Sequence, residues 1–315
     1  MSNTQAPPAG GLRARSKRGH SKTSATTTSI LGNYKLRELI GSGRWCNVFR
    51  AGSVHQTDDV FDYAIKMPRP ELSRDLLANS ILQRESFVGS QISNPHIVPV
   101  LDVQIDTSQP FVVLPFIKGQ TADELLRRST TLSHSRALWI VRQAAQGLMA
   151  LHSGGWLHGD LKPENLIVSP IGHVTICDLG FARKVAGENT DVIDPTMILA
   201  TPKYAAPELY CSSLHRSSME QGFASDVYSL GVVLFELLTG SHPLGELANE
   251  EYIAAHREVQ SLDPRHFDPL ITREIRYLLM QMLAKEPLRR PTVERLVERL
   301  IDLEIATFDD RAIAC

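Results

Sequence analysis

Three polar side chains fall close together in the stretch "WLHGDLKPENLIV", residues 156–168: Asp160, Lys162 and Asn165. An aspartate can take the proton of a hydroxyl as that hydroxyl attacks phosphorus. A lysine can neutralise a phosphoryl group in flight, and an asparagine amide oxygen suits a hard divalent cation. Downstream, "VTICDLGFAR" supplies Asp178 after an apolar run, a second oxygen ligand, with Gly180 expected to permit a sharp turn. Upstream, "IGSGRWCNV" places Gly41 and Gly43 where backbone amides can approach phosphate oxygens without an intervening Cβ. Val48 follows where an apolar side chain would cover an adenine, and "YAIK" ends an alternating segment on Lys66, a cation for phosphates. Glu85, on a helical stretch further on, is the candidate partner that fixes this lysine. Taken singly these are ordinary: aspartates form turns, lysines snorkel, Gly-x-Gly closes hairpins and helical glutamates are solvated. Their joint occurrence in this order points to phosphoryl transfer from a nucleotide.

Two kinds of element must position them. From Tyr34 the chain reads as short strands, "YKLRELIG", "NVFRAGSV", "DYAIKM", "IVPVLDVQI" and "FVVLPFI", interrupted by one helix, "LLANSILQRESFVGSQI". This predicts a small, mostly antiparallel sheet with a helix packed on it. After "KGQTADELL" the texture turns helical. "SHSRALWIVRQAAQGLMALHSGG" carries Leu138, Val141, Ala145 and Leu148 on one face, and Gly154 with Gly155 reads as its left-handed cap. "SDVYSLGVVLFELLTG" is apolar nearly all round and reads as a buried central helix, and "PTVERLVERLIDLEI" closes the domain as an amphipathic one. The expected fold class is α+β and bilobal.

Composition narrows the partners. Residues 1–30 carry Arg13, Arg15, Lys17, Arg18 and Lys22 and no acid, so of the 33 basic residues 28 remain against 35 acidic ones in the body of the chain. A near-neutral to acidic body argues against nucleic acid. The tail, rich in Pro, Gly, Ser and Thr, reads as a disordered segment over 1–30 in preference to an organellar transit peptide. Cysteines at 46, 177, 211 and 315 show no metal-ligand spacing and suit a reducing cytoplasm. No apolar run of membrane-spanning length and no secretory h-region is read in the chain. Oligomeric state is not legible.

With these motifs in view, residues 34–303 resemble a eukaryotic-type (Hanks-type) serine/threonine protein kinase domain of bacterial style. The resemblance implies a bilobal fold, with a small lobe over 34–117, a large lobe over 118–303 and a short tail over 304–315. It implies ATP and Mg²⁺, with Mn²⁺ as a substitute, and protein substrates bearing Ser or Thr acceptors. It implies Lys66 on the nucleotide phosphates paired with Glu85, Asp160 as catalytic base, Lys162 on the γ-phosphate, and Asn165 with Asp178 on the metal. The nucleotide pocket gains Ile40, Ser42, Ala64 and Ile167, a gatekeeper at Leu114, and a hinge of Pro115, Phe116 and Ile117. In "LATPKYAAPELY", Ala206-Pro207-Glu208 matches the family's Ala-Pro-Glu, with Arg290 as the partner of Glu208; Asp226 supports the catalytic loop, and Thr201 with Lys162 suits Ser/Thr specificity.

The departures matter. The third loop glycine is Cys46, Leu179 replaces the commoner Phe, and Gly159 stands where the family usually carries Arg. "HGD" is also how small-molecule phosphotransferases write this loop, but those lack the peptide-docking segment. Without an Arg at 159, activity is expected not to depend strictly on phosphorylation between Asp178 and Glu208, where Thr190 and Thr196 are available. Cys46 and Cys177 read as small buried apolar side chains in preference to redox thiols. Ser16, Ser21 and Ser24 are candidate autophosphorylation sites, and Glu164 and Glu236 candidate selectors of basic substrate residues. The competing readings are a pseudokinase scaffold, a small-molecule phosphotransferase and a lipid kinase.

Overall fold

The computed structural model describes residues 29–56, 61–185, 201–210 and 219–313. In the small lobe, β1 (Ser29–Leu31), β2 (Tyr34–Ser42), β3 (Cys46–Ser53), β4 (Tyr63–Pro68), β5 (Asp102–Gln104) and β6 (Phe111–Pro115) form one antiparallel sheet in the order β1-β2-β3-β4-β6-β5. Alternation along the strands sorts the side chains. Ala64, Val112 and Leu114 join Leu82 of the lobe's helix in one cluster, while Ile65, Ala51 and Val113 join Leu31 and Phe111 in another. The helix, α1 (Leu76–Gln91), begins where the Asp75 carboxylate accepts from Ala78 N at 2.8 Å.

The large lobe comprises β7 (Gln120–Thr121), α2 (Ala122–Ser129), α3 (His134–Ser153), β8 (Trp156–Leu157), β9 (Leu166–Val168), β10 (Val174–Ile176), β11 (Arg183–Lys184), α4 (Met219–Thr239), α5 (Asn249–Glu258), α6 (Arg273–Met282) and α7 (Val293–Ile313). Its core runs between α3, α4 and α7, with Leu138, Leu148, Tyr228 and Phe235 almost without solvent contact. α4 has the length and apolarity of a membrane span over Gly222–Thr239, longer than the sequence reading allowed, but most of it is buried in the lobe, which accounts for its character.

Four expectations need amendment. Ser29 and Ile30, read as tail, pair with Leu36 and Lys35 as β1. The domain does not give way to a tail at 304: α7 continues to Ile313, and Glu304 Oε1 accepts from Arg142 Nε of α3 at 2.8 Å. Of "IVPVLDVQI" only Asp102–Gln104 is strand; Ile97 instead bridges to Ile176 and Val98 N donates to Ile176 O, joining the lobes. Only Gly155 at the end of α3 is left-handed (φ 78°); a Cβ at Gly154 would meet Ile92 Cδ1 at 2.9 Å, so that glycine serves close packing. α5 and α6 lie where the sequence reading named no element.

Candidate active site

Lys66 sits on β4 opposite Val48 of β3 and Val112 of β6, so its side chain enters the interlobe cleft. Its ammonium lies 2.5 Å from Glu85 Oε2 on α1 and 2.7 Å from Asp178 Oδ1, with Lys66 9% and Glu85 1% exposed. Burial alone would lower the Lys66 pKa, but the Asp178 and Glu85 charges more than reverse it and raise it. Burial, helped by the Asp178 charge, raises the Glu85 pKa. Burial also pushes Asp178 up, yet the charges of Lys66, Lys162 and His158 and the Lys66 hydrogen bond hold it below the ordinary carboxylate value. One ammonium therefore serves two carboxylates.

Asp178 itself is left-handed (φ 66°, ψ 70°), a conformation that aspartate tolerates better than most residues. The turn does not need Gly180 for its φ. A Cβ there would stand 2.5 Å from Ile81 Cγ2 on α1, so glycine at 180 permits close approach of α1 to the segment after Asp178. Leu179, fully buried, fills the same junction.

The catalytic loop is held from below. Asp226 on α4 accepts from His158 N at 2.7 Å and Gly159 N at 3.0 Å, and His152 Nε2 lies 2.9 Å from its Oδ2. Burial raises the Asp226 pKa, but the His152 hydrogen bond and the neighbouring charges bring it below the usual value. Above this support, Asp160 Oδ1 accepts from both N and Oγ1 of Thr201, each at 2.8 Å. Lys162 Nζ donates to Asp160 Oδ2 at 2.6 Å and to Thr201 Oγ1 at 2.9 Å. Asn165 Nδ2 donates to Asp160 O at 2.8 Å, which fixes the amide. Cys177 N donates to Asn165 O at 2.9 Å, so Asn165 and Asp178 stand at neighbouring positions of the β9–β10 hairpin. Among the described residues no three or more His, Cys, Asp or Glu gather as a metal cage. A pair of hard oxygen donors completed by substrate phosphates is the arrangement that fits a divalent cation here.

Gly159 is left-handed (φ 80°), and a Cβ there would meet Phe181 O at 2.6 Å. The backbone, and not only the missing charge, thus excludes a larger residue. Other cations remain close by: Arg84 Nη1 donates to Ala182 O at 3.1 Å, and the Arg183 guanidinium has its pKa lowered by burial and by Arg84, against the pull of Asp226.

Over the cleft, Gly41 pairs with Val48, and Gly43 N donates to Cys46 O at 2.9 Å. Ser42 Oγ donates to Asn47 Oδ1 at 2.9 Å on the outside of the hairpin, and Ile40 is exposed. Val48, Ala64, Leu114, Ile117 and Cys177 share one apolar cluster with Cys46, and Ile167 lies on β9 opposite Thr175. Phe116 differs from expectation. Its N–H donates to Asp62 O at 2.7 Å and its ring lies under the Arg50 guanidinium, so Ile117 supplies the hinge's apolar contact. Burial pushes the thiols of Cys46 and Cys177 up to about 12, which fits inert packing groups.

Glu208 and Arg290 form a bidentate pair (Nη1–Oε1 2.6 Å, Nη2–Oε2 2.8 Å) with the Arg290 side chain at 0% exposure. Arg290 also donates to Ala284 O and Ala224 O. Thr190, Thr196, Ser16, Ser21 and Ser24 lie outside the described residues. Sequence reasoning missed His152 as a support of Asp226, and missed Lys203, whose ammonium lies 2.7 Å from Glu236 Oε1. The position of Lys203, just after Thr201 in the docking segment, was the available signal.

A two-lobed fold with a lysine–glutamate pair under a glycine hairpin, facing an Asp-Lys-Asn loop and an aspartate, defines a nucleotide-dependent phosphotransferase. Residues 34–300 match the protein kinase domain, and the chain belongs to that family. It is 32% identical over 281 residues to the serine/threonine-protein kinase PknD of Mycobacterium tuberculosis, covering 89% of this chain and 40% of that protein. It is 27% identical over 278 residues to the probable serine/threonine-protein kinase PknB of Lactococcus lactis (88% and 42%), and 26% identical over 282 residues to the serine/threonine-protein kinase PrkC of Bacillus subtilis (90% and 42%). The chain therefore spans about two fifths of the length of these relatives. Membership of the family implies a nucleoside triphosphate, a divalent cation and protein substrates.

Proposed function

We propose that this protein is a serine/threonine protein kinase that transfers the γ-phosphoryl group of ATP, with Mg²⁺, to hydroxyls of other proteins and of its own Ser16, Ser21 or Ser24. The observation that carries this reading is the convergence on one cleft of Lys66, clamped between Glu85 and Asp178, with Asp160, which is bonded to Lys162 and Thr201. Lys66 would hold the α- and β-phosphates, and Asn165 and Asp178 the metal. The metal supplies charge neutralisation on the phosphates. Asp160 orients the acceptor hydroxyl and takes its proton, and Lys162 faces the phosphoryl group as it passes.

The intact set disfavours a pseudokinase. The Glu208–Arg290 anchor of a peptide-docking segment disfavours a small-molecule or lipid phosphotransferase. The left-handed Gly159 supports activity without activation-loop phosphorylation, since the loop is built without the arginine that a phosphate would neutralise. A reducing cytoplasm is the compartment proposed.

Purified protein incubated with Mg·ATP and a generic protein acceptor is expected to yield phosphoserine and phosphothreonine. Asp160→Asn is expected to lower the rate by about 10²-fold or more. Replacing Thr190 and Thr196 by Ala should leave the rate within about tenfold of wild type, and a larger fall would contradict the loop-independent reading.

A further inference from the structure

The segment after Thr201 carries a side chain that the chemistry above does not use. The carbonyl oxygen of Lys203 accepts from His242 Nε2 at 2.8 Å and from His256 Nε2 at 3.0 Å. His242 Nδ1 in turn accepts from Leu244 N at 3.2 Å, which places its proton on Nε2. Burial holds these imidazoles down to about 3 and about 4, so both stay neutral near pH 7. With its backbone pinned in this way, Lys203 directs its ammonium to Glu236 Oε1 at 2.7 Å, and Tyr204 Oη donates to Glu236 Oε2 at 2.9 Å. The Glu236 side chain is 8% exposed and that of Lys203 29%.

A carboxylate beside the docking segment thus has both oxygens satisfied from within the chain. An arginine or lysine of a substrate could reach it only by displacing an ammonium that is tethered next to it, and a tethered partner competes at a high effective concentration. From sequence, Glu236 was expected to select basic residues. Instead, the Lys203 ammonium occupies that carboxylate from within the chain, as a lock.

We propose that Lys203 is a specificity-determining residue: its ammonium occupies the Glu236 carboxylate, so that the enzyme accepts neutral residues there and does not use Glu236 to select Lys or Arg in its protein substrates. This rests on the protein-kinase reading.

The test compares kcat/KM for Ser peptides carrying Ala, Arg or Glu at each position within three residues of the acceptor. Wild type should show Arg-to-Ala ratios that do not depend on Glu236. Lys203→Met exposes the carboxylate and should raise the Arg-to-Ala ratio at one position by about tenfold or more. Glu236→Gln releases the ammonium and should raise the Glu-to-Ala ratio by about threefold, with no gain for Arg. A merely structural role would lower all peptides together and leave the ratios fixed. Unchanged ratios in both variants overturn the proposal, and so does a wild-type preference for Arg that Glu236→Gln removes. Should Lys203→Met fail to fold, wild type and Glu236→Gln still decide. Absence of phosphotransfer by wild type to any peptide or protein overturns the kinase reading beneath it, an outcome distinct from equal ratios.

Discussion

Two buried ion pairs in this molecule are built on opposite plans. At Glu208–Arg290 one carboxylate meets one guanidinium in a bidentate grip, and further guanidinium donors reach backbone carbonyls. At Lys66 one ammonium is shared by Glu85 and Asp178, and the backbone at Asp178 is left-handed. The first arrangement is complete and has no capacity left for a ligand. The second is short of positive charge and holds strain, the state expected of a site that finishes its electrostatics when metal and phosphates arrive. Balanced pairs brace the fold, and unbalanced ones do chemistry.

The strongest way to break that contrast is to remove the central cation. Lys66→Met should lower phosphotransfer by about 10²-fold or more, the scale of a lost electrostatic contact to the transition state. It also leaves the Glu85 and Asp178 carboxylates without their shared cation, so the melting temperature should fall, and less at acidic pH, where Glu85, whose pKa burial already raises, takes up a proton. Glu208→Ala should cost about 3–5 kcal/mol in denaturant unfolding because it strands a fully buried guanidinium, a cost that low pH does not relieve because a guanidinium stays charged. If the two variants exchanged these signatures, the distinction would fail.

A smaller effect comes from Gly159→Ala, which adds a Cβ at φ 80° and 2.6 Å from Phe181 O. Strain of about 1–3 kcal/mol is expected, with loss of activity exceeding loss of stability because the shift lies next to Asp160. Smaller still is the effect at Lys285, beside the braced pair. Its ammonium has no hydrogen-bond partner, and burial, with the Arg290 charge, pushes its pKa down from 10.5 to about 8. The unfolded chain therefore binds more protons between about pH 8 and 10.5, and stability should rise with pH across that window. Lys285→Met should flatten this slope and raise stability near pH 7 by about 1 kcal/mol, a figure reduced for the group's partial contact with solvent. A slope unchanged by the substitution would place the titration elsewhere.

What the sequence disclosed followed a physical rule. Lys66, Asp160, Asn165 and Asp178 were legible because each is a polar residue at the edge of an apolar strand or loop, in fixed order along the chain. Glu85 was legible as the candidate partner of Lys66 from its place on the small lobe's one helix, whereas Glu208 with Arg290, and Asp226, were legible only through the family pattern, because their partners are distant in sequence and nothing local marks them. Gly180 and Gly154 were read as turn formers, yet they serve close packing, since the neighbour that a Cβ would strike belongs to another element. Lys203 and Glu236 could not be paired from sequence, because α4 has to be folded beneath the docking segment before they meet. α5, with the mixed sequence "NEEYIAAHRE", offers too weak an apolar stripe to be read alone.

The most direct test of the shared-cation account is a crystal structure with Mg²⁺ and a non-hydrolysable ATP analogue. It should show the Lys66 ammonium on the nucleotide phosphates while still paired to Glu85, with Asn165 and the Asp178 carboxylate on the metal. Nucleotide bound with Lys66 or Asp178 turned out of the cleft would contradict it.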